Sequence, residues 1–111
     1  MIFELRQYES TPARIGELHA RFRDHTLSLF REHGITPVAF WTEADRPYVV
    51  VYLVCFNDES ARERAWGSLR EDPAWRNLLE STDPDGDLIV DRTRKLLVET
   101  DYSPSALRWG G

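Results

Sequence analysis

The sequence predicts an α+β domain in which six elements follow in the order strand, helix, strand, strand, helix, strand. Segments with the two-residue period of strands alternate in that order with segments of helical period. Proline and glycine stand near the ends of these segments. The length of 111 residues and the 41% content of hydrophobic residues suit one globular domain. We therefore expect residues 1–100 to form a single domain and residues 101–111 to form a C-terminal tail.

The first strand is predicted over Ile2–Tyr8, where apolar and mixed faces alternate: Phe3 and Leu5 on one side, Glu4, Arg6 and Tyr8 on the other. Ser10 and Thr11 then offer a capping hydroxyl before Pro12, a residue favoured at the first helical position. Apolar residues at helical spacing predict a helix from there to His33. Gly34 is expected to take the left-handed conformation of a Schellman motif, which places Ile35 over Phe30.

The second strand is predicted over Pro37–Thr42 and the third over Tyr48–Phe56, joined by a polar loop. The third strand is apolar on both faces, with Val49, Val51, Leu53 and Cys55 on one and Tyr48, Val50, Tyr52, Val54 and Phe56 on the other. A strand with one face in water normally alternates apolar with polar residues, so both faces of this strand need covering. One face is predicted to lie under the helices and the other against a second copy of the chain, which makes a homodimer. The alternation alone leaves open which face does which.

Asp58 and Glu59 place acid at the start of a second helix that ends near Glu71, and Asp72 with Pro73 opens a short third helix. The last strand is predicted over about Leu88–Thr100 and is expected to be interrupted by the charged stretch Asp91–Lys95. This order closes as a four-stranded antiparallel sheet with its helices on one face, the ferredoxin-like βαββαβ layout.

Composition excludes several classes of function. The net charge is −5 and the basic residues are scattered among acids, so no concentrated positive face for nucleic acid is expected. The single cysteine, Cys55, rules out a disulfide framework within one chain and fits a reducing cytoplasm. The sequence starts without a signal-peptide pattern and has no apolar run near the roughly 20 residues of a membrane span. A cytoplasmic protein without membrane attachment is expected.

Several segments, in their order and spacing, resemble the NIPSNAP family of the dimeric α/β-barrel superfamily. They are Phe3–Tyr8, His33–Ile35 with Val38–Thr42, Asp72–Trp75 and Tyr102–Pro104. The resemblance implies a ferredoxin-like subunit, two of which pack their sheets into a barrel, with a cleft between the sheet and helices of each. It brings no catalytic set with it, because fold does not dictate function. The wider superfamily includes cofactor-independent monooxygenases, polyketide cyclases, isomerases and haem proteins.

The three histidines lie on the first predicted helix, separated by about 9 and 12 Å along its axis, so one ion cannot bridge them and no metal site is predicted there. His25 lies beside the apolar stripe between Phe22 and Leu29 and is a candidate general base. The alternative is a half-buried histidine with a structural role.

The tyrosines Tyr8 and Tyr52 are candidates for donating a hydrogen bond to a developing oxyanion, or they are core residues with satisfied hydroxyls. Arg6 is a candidate for binding substrate, although its spacing from Glu4 on one strand face favours a structural ion pair. The tryptophans Trp41, Trp66 and Trp75 are predicted either to form an aromatic wall for a flat ligand or to fill the core.

Two functions are compatible with these residues. The first is a cofactor-independent enzyme, a cyclase, isomerase or monooxygenase, that orients an apolar or aromatic metabolite in the cleft and uses His25 or a tyrosine to move a proton. It requires an enclosed cavity of about 300 Å³ or more. The second is a non-catalytic module that binds a metabolite or a protein, which fits the absence of any recognisable catalytic or cofactor-binding motif.

Overall fold

The computed structural model describes residues 1–104. Its strands are β1 (Ile2–Ser10), β2 (Thr36–Thr42), β3 (Val49–Phe56) and β4 (Ile89–Val98). A helical segment follows β1 and consists of a 3-10 turn (Pro12–Arg14), α1 (Ile15–Arg21), a π-helical turn (Phe22–Thr26) and α2 (Leu27–Glu32). Between β3 and β4 lie α3 (Glu59–Glu71) and α4 (Pro73–Thr82). The strands form one antiparallel sheet in the order β2-β3-β1-β4, which confirms the ferredoxin-like prediction.

The third strand presents its even-numbered residues to the helices. Val50, Tyr52, Val54 and Phe56 share one core cluster with helix residues such as Leu18, Phe30 and Leu69. The mixed face of β1 lies on this same side, because Glu4 pairs with Val54 and Arg6 pairs with Tyr52. The apolar face of β1 therefore points away from the helices, where Leu5 pairs with Leu53. The sequence could not assign which face of β3 lies under the helices. The structure shows that it is the even-numbered face, which places Tyr52 beneath them.

The end of the first helical segment forms as predicted. Gly34 adopts a φ of 79°, and the Ile35 amide donates to the Phe30 carbonyl at 2.8 Å while the Gly34 amide donates to the Arg31 carbonyl at 3.3 Å. This pair of hydrogen bonds is the Schellman motif, and Ile35 is fully buried against the core. The start differs from prediction, because neither Ser10 nor Thr11 caps the helix with its side chain.

The second half begins with two capped helices. The Asp58 carboxylate accepts a hydrogen bond from the Ala61 amide at 2.7 Å, and Asp72 accepts one from the Ala74 amide at 2.8 Å. Both acids lie where the helix N-terminus favours negative charge. No helix among residues 1–104 is long and apolar enough to cross a membrane.

The predicted interruption of the last strand is wrong. Residues Asp91–Lys95 continue β4 and pair along β1 from Glu9 to Leu5, with one register shift next to Ser10. An edge strand tolerates charges on both faces because neither face has to be buried, so the charge run did not signal a break. The predicted tail lies partly beyond the described residues, at 105–111.

Candidate functional site

A cleft of about 170 Å³ opens between the sheet and the helices. It combines aromatic walls with three arginines and has no carboxylate in its lining, which consists of Arg6, Tyr8, Arg21, Phe22, Thr26, Phe30, Tyr52, Trp66, Leu69, Arg70 and Trp75. A second cavity of about 420 Å³ adjoins it, sharing Arg6, Trp66 and Arg70 and adding Arg62, Glu63 and Arg94. The cleft alone is smaller than the roughly 300 Å³ typical of ligand sites, whereas the adjoining cavity exceeds it.

Glu4 organises the floor between the two cavities. Its carboxylate is completely buried and accepts hydrogen bonds from Arg6 Nε at 2.6 Å, Arg62 Nη1 at 3.1 Å and Trp66 Nε1 at 3.0 Å. The Arg6 guanidinium lies 4.1 Å from the centre of the Trp66 ring, a cation–π contact. Because Arg62 and Trp66 lie on α3 and Arg6 lies on β1, Glu4 fixes β1, α3 and the guanidinium of Arg6 relative to one another.

Tyr8 and Tyr52 form a hydrogen-bonded pair beside this platform. The Tyr52 hydroxyl donates to the Tyr8 oxygen at 3.0 Å, and Arg6 Nη1 donates to the same oxygen at 3.2 Å. Burial raises the pKa of Tyr52 well above its ordinary value, so Tyr52 stays protonated and acts as a donor. Burial opposes the charge on Arg6, but the neighbouring Tyr8, Tyr52 and Glu4 outweigh it and raise the pKa of Arg6. The Tyr8 oxygen thus faces two permanent donors.

The Tyr8 proton is available to a ligand. A phenol oxygen accepts two hydrogen bonds and donates one. Both acceptor positions of Tyr8 are filled by Tyr52 and Arg6, and no residue in the described range 1–104 accepts its proton. Tyr8 lines the cleft, so its free donor can serve a substrate oxygen there.

The π-helical turn supplies the opposite wall. The Leu27 amide donates to the Phe22 carbonyl, five residues back, which widens the helix locally. As a result Phe22 and Thr26 both face the cleft and are buried, at 8% and 2% exposure. Arg21, the residue before this turn, lines the cleft at 6% exposure.

The structure brings four of the predicted site residues together and leaves two apart. Arg6, Tyr8, Tyr52 and Trp66 all line the cleft. His25 is exposed on the outer side of the helical segment, where it lines a surface depression that includes Asp24 and Ser81. Trp41 is 52% exposed and lines a separate groove of about 330 Å³ at the β2 edge of the sheet.

Sequence reasoning missed Arg21 and Arg70 as cleft residues. Arg21 lies three residues after Leu18 and next to Phe22, within the apolar stripe of the helix. A charged residue at such a position is a detectable signal, because charges are seldom fully buried without a partner. Arg70 follows the buried Leu69 at the end of α3 and gives no comparable signal.

One group of side chains has the composition of a metal site. Ligand atoms of Glu32, His33 and Asp72 lie within 4.8 Å of one another. Both ring nitrogens of His33 are already hydrogen-bonded, Nε2 to Asp72 at 2.7 Å and Nδ1 to Ser68 at 2.5 Å. These contacts tie the end of α2 to the junction of α3 and α4, so the group has a structural explanation.

Comparison with known proteins gives a consistent family. The family model described as NIPSNAP matches residues 3–104. An uncharacterized NIPSNAP domain protein from Burkholderia xenovorans is 22% identical, with 94% of this chain and 99% of that chain covered and a TM-score of 0.81. A NIPSNAP family protein from Agrobacterium tumefaciens is 20% identical, with coverages of 94% and 97% and a TM-score of 0.82.

The structure is also similar, more distantly, to proteins of another group that share this fold. An antibiotic biosynthesis monooxygenase is 14% identical, with 90% of this chain and 99% of that chain covered and a TM-score of 0.65. At these identities the solved structures show the shared fold alone. No curated protein matches the chain.

Proposed function

The chain belongs to the NIPSNAP family, and we propose that it is a cofactor-independent enzyme of the cyclase, isomerase or monooxygenase class. Its substrate is an apolar or aromatic metabolite that binds in the sheet-helix cleft and extends into the adjoining cavity of about 420 Å³, which supplies the volume of about 300 Å³ that an enzyme of this kind requires. The observation that carries this proposal is the hydroxyl of Tyr8, which lines the cleft. Its oxygen accepts hydrogen bonds from Tyr52 and Arg6, and no residue among 1–104 accepts its proton. A buried phenol with a spare donor and a guanidinium beside it is suited to proton transfer.

The three reaction classes share one step that these residues can perform. In each, a substrate carbonyl oxygen gains a proton while the neighbouring carbon loses one. Tyr8 gives its proton to the oxygen, and the phenolate so formed, which accepts hydrogen bonds from Tyr52 and Arg6, takes the proton from the carbon. The monooxygenase class would in addition consume O₂ as its oxidant. Tyr8 donates a hydrogen bond to the substrate carbonyl oxygen, and Arg6 adds a positive charge 3.2 Å behind the phenol. Tyr52 is a positioning residue, because its buried hydroxyl reaches Tyr8 and orients it. The monooxygenase neighbour supports the choice of class only by analogy of fold.

The test compares Tyr8→Phe with Tyr102→Phe, since Tyr102 is 82% exposed and outside the cleft. Both variants and the wild type are incubated with a bacterial metabolite extract and no added cofactor, and consumption is followed by mass spectrometry. We expect a metabolite that the wild type and Tyr102→Phe consume at the same rate, and that Tyr8→Phe consumes about 100-fold more slowly. Equal rates for Tyr8→Phe and Tyr102→Phe would remove Tyr8 from the reaction.

A binding module without turnover is the second candidate, and the cleft's volume of about 170 Å³ favours it. A cleft of this size holds a small ring but leaves little room for a substrate to change shape. A metabolite that co-purifies with the protein and is released unchanged on unfolding would select this function over the enzyme.

We also propose that the protein is a homodimer that joins the open faces of two sheets, in the cytoplasm, where Cys55 stays reduced. On the open face, Leu5 pairs with Leu53, and Trp41 and Leu97 are 52% and 41% exposed. Burying the apolar side chains of this face at about 25 cal/mol per Å² favours association.

Sedimentation velocity tests the dimer with two matched variants. Leu53→Asp places a charge on the open face, whereas Val98→Asp places one on the helix side of β4, where Val98 pairs with Ile2 and is 74% exposed. We expect the wild type and Val98→Asp to sediment at twice the monomer mass and Leu53→Asp at the monomer mass. A wild type that stays monomeric at micromolar concentration would contradict the dimer.

A further inference from the structure

Arg21 is a buried cation that has no anionic partner among residues 1–104. It is 6% exposed, and its one hydrogen bond within residues 1–104 is a long contact of 3.4 Å from Nη1 to Thr82 Oγ1. No carboxylate of the described chain lies within 4.0 Å of it. By contrast, the buried carboxylate of Glu4 forms ion pairs with both Arg6 and Arg62. Burying a charge without a partner is unfavourable, so Arg21 calls for an explanation.

No carboxylate near Arg21 in the described part of the chain contacts its guanidinium. Glu17 and Asp24 line a surface depression together with Arg21, but neither forms an ion pair with it. Asp83 is the carboxylate that acts on it most strongly, yet the Asp83 oxygen accepts the amides of Asp87 and Leu88 at 3.0 and 3.1 Å. No carboxylate among residues 1–104 therefore forms an ion pair with Arg21.

Further positive charge surrounds the same cleft. Arg6 and Arg70 line it with Arg21, and the Arg92 guanidinium lies 5.9 Å from the centre of the Tyr8 ring. The chain as a whole has a net charge of −5, so the cluster of arginines around the cleft differs in sign from the overall charge of the protein. The remaining walls are aromatic, with Phe22, Phe30 and Trp75.

We propose that the ligand of this cleft is a carboxylate, whose anionic group pairs with Arg21 while its aromatic or apolar body lies between the rings. A guanidinium presents parallel N–H donors that match the two oxygens of a carboxylate. The small volume and the aromatic walls suit a single ring better than a bulky polyanion. This inference rests on the proposed function in that the cleft holds a small molecule, and it adds the chemical class of that molecule.

Isothermal titration calorimetry of the full chain tests it with benzoate, the neutral benzamide of the same shape, and inorganic phosphate. The variants are Arg21→Met, Arg21→Lys and, as a matched control on the same helical segment, Arg31→Met at an exposed position. We expect the wild type and Arg31→Met to bind benzoate about tenfold or more tightly than benzamide. Arg21→Met should lose that preference, and Arg21→Lys should keep part of it.

Thermal unfolding without ligand separates binding from a structural role. If Arg21 exists for a ligand, Arg21→Met removes an uncompensated buried charge and is as stable as the wild type or more stable. A structural Arg21 would instead make that variant less stable.

Other outcomes overturn the inference in distinguishable ways. Equal binding of benzoate and benzamide, or preferred binding of phosphate, refutes the carboxylate and leaves the proposed small-molecule site standing. A benzoate preference that survives in Arg21→Met refutes the role of Arg21. If no probe binds at millimolar concentration, both the inference and the ligand-binding cleft fail.

Discussion

Removing the buried carboxylate of Glu4 should destabilise the protein strongly. Glu4 is completely buried and accepts hydrogen bonds from Arg6, Arg62 and Trp66 at distances of 2.6, 3.1 and 3.0 Å. In Glu4→Ala, two guanidinium groups and one indole N–H lose their acceptor together. A buried donor left without a partner costs its full desolvation energy.

The size of the effect follows from the exposure of the partners. Deleting one member of a buried ion pair typically costs about 3–5 kcal/mol. The side chains of Arg6 and Arg62 keep 20% and 11% exposure, so water can solvate part of what Glu4 leaves behind. We therefore expect a loss of about 3 kcal/mol, which lowers the melting temperature of a domain of this size by about 10–25 °C.

Urea denaturation followed by circular dichroism measures the loss, with Glu17→Ala as the control. Glu17 forms an ion pair with Arg14 at 3.0 Å but is 54% exposed, and such surface pairs contribute little to stability. Glu4→Gln should fall between the two, because an amide oxygen can still accept from Trp66. If Glu4→Ala costs no more than Glu17→Ala, the reasoning that Glu4 organises the site is refuted.

Three further predictions concern the scaffold. Gly34→Ala should lower the free energy of unfolding by about 1 kcal/mol, because Gly34 has a φ of 79°; Gly16→Ala within α1, where the added methyl group meets open space, should raise it, and a gain in both variants would refute the left-handed turn. The hydrogen bond from His33 lowers the pKa of Asp72 below its ordinary value of 3.8. The ionised Asp72 carboxylate therefore stabilises the fold fully above pH 3.8, and this stabilisation is lost as the pH falls through the lowered pKa of the folded protein. Urea titrations across the acid range should show a shallower loss of stability for Asp72→Asn than for the wild type, and identical profiles would contradict this. Cys55 is 2% exposed and burial raises the pKa of its thiol, so a disulfide reagent should modify it only after unfolding; rapid modification of the native protein would contradict its burial.

Much of the fold could be predicted because its signals are local. Gly34 with Ile35, Asp58, and Asp72 before Pro73 each mark a helix end through their own backbone chemistry. The faces of β3 could not be assigned, since both are apolar and only the packed structure shows that Tyr52 lies beneath the helices. The charge run in β4 was misread because an edge strand does not need an apolar face.

The candidate site was predictable only in part, and the π-helical turn explains the main difference. A regular helix from Phe22 to Leu29 would place His25 at the border of the apolar stripe. The π turn holds more residues per turn, so Thr26 lies in phase with Phe22 and is buried, whereas His25 is rotated away from the apolar stripe and is exposed. The sequence of Phe22–Thr26 contains no residue type that predicts a π-helical turn.

The tryptophans show the same dependence on tertiary structure. The helical period of α3 predicts that Trp66 is buried, and Trp66 lies in the cleft as part of the predicted aromatic wall. Trp41 pairs with Val51 on the open side of the sheet, so it cannot join that wall. One residue along a strand reverses the face, and the sequence alone does not fix which face of β2 is covered.

We propose that the ligand binds in the cleft and not in the groove at the β2 edge. The most direct test of this proposal is a ¹⁵N correlation spectrum of the tryptophan indole N–H groups during titration with benzoate, with signals assigned by Trp→Phe variants. We expect the signals of Trp66 and Trp75, which line the cleft, to shift in a saturable way while the signal of Trp41, which lines the groove, stays in place. Movement of the Trp41 signal with Trp66 and Trp75 unchanged would contradict it.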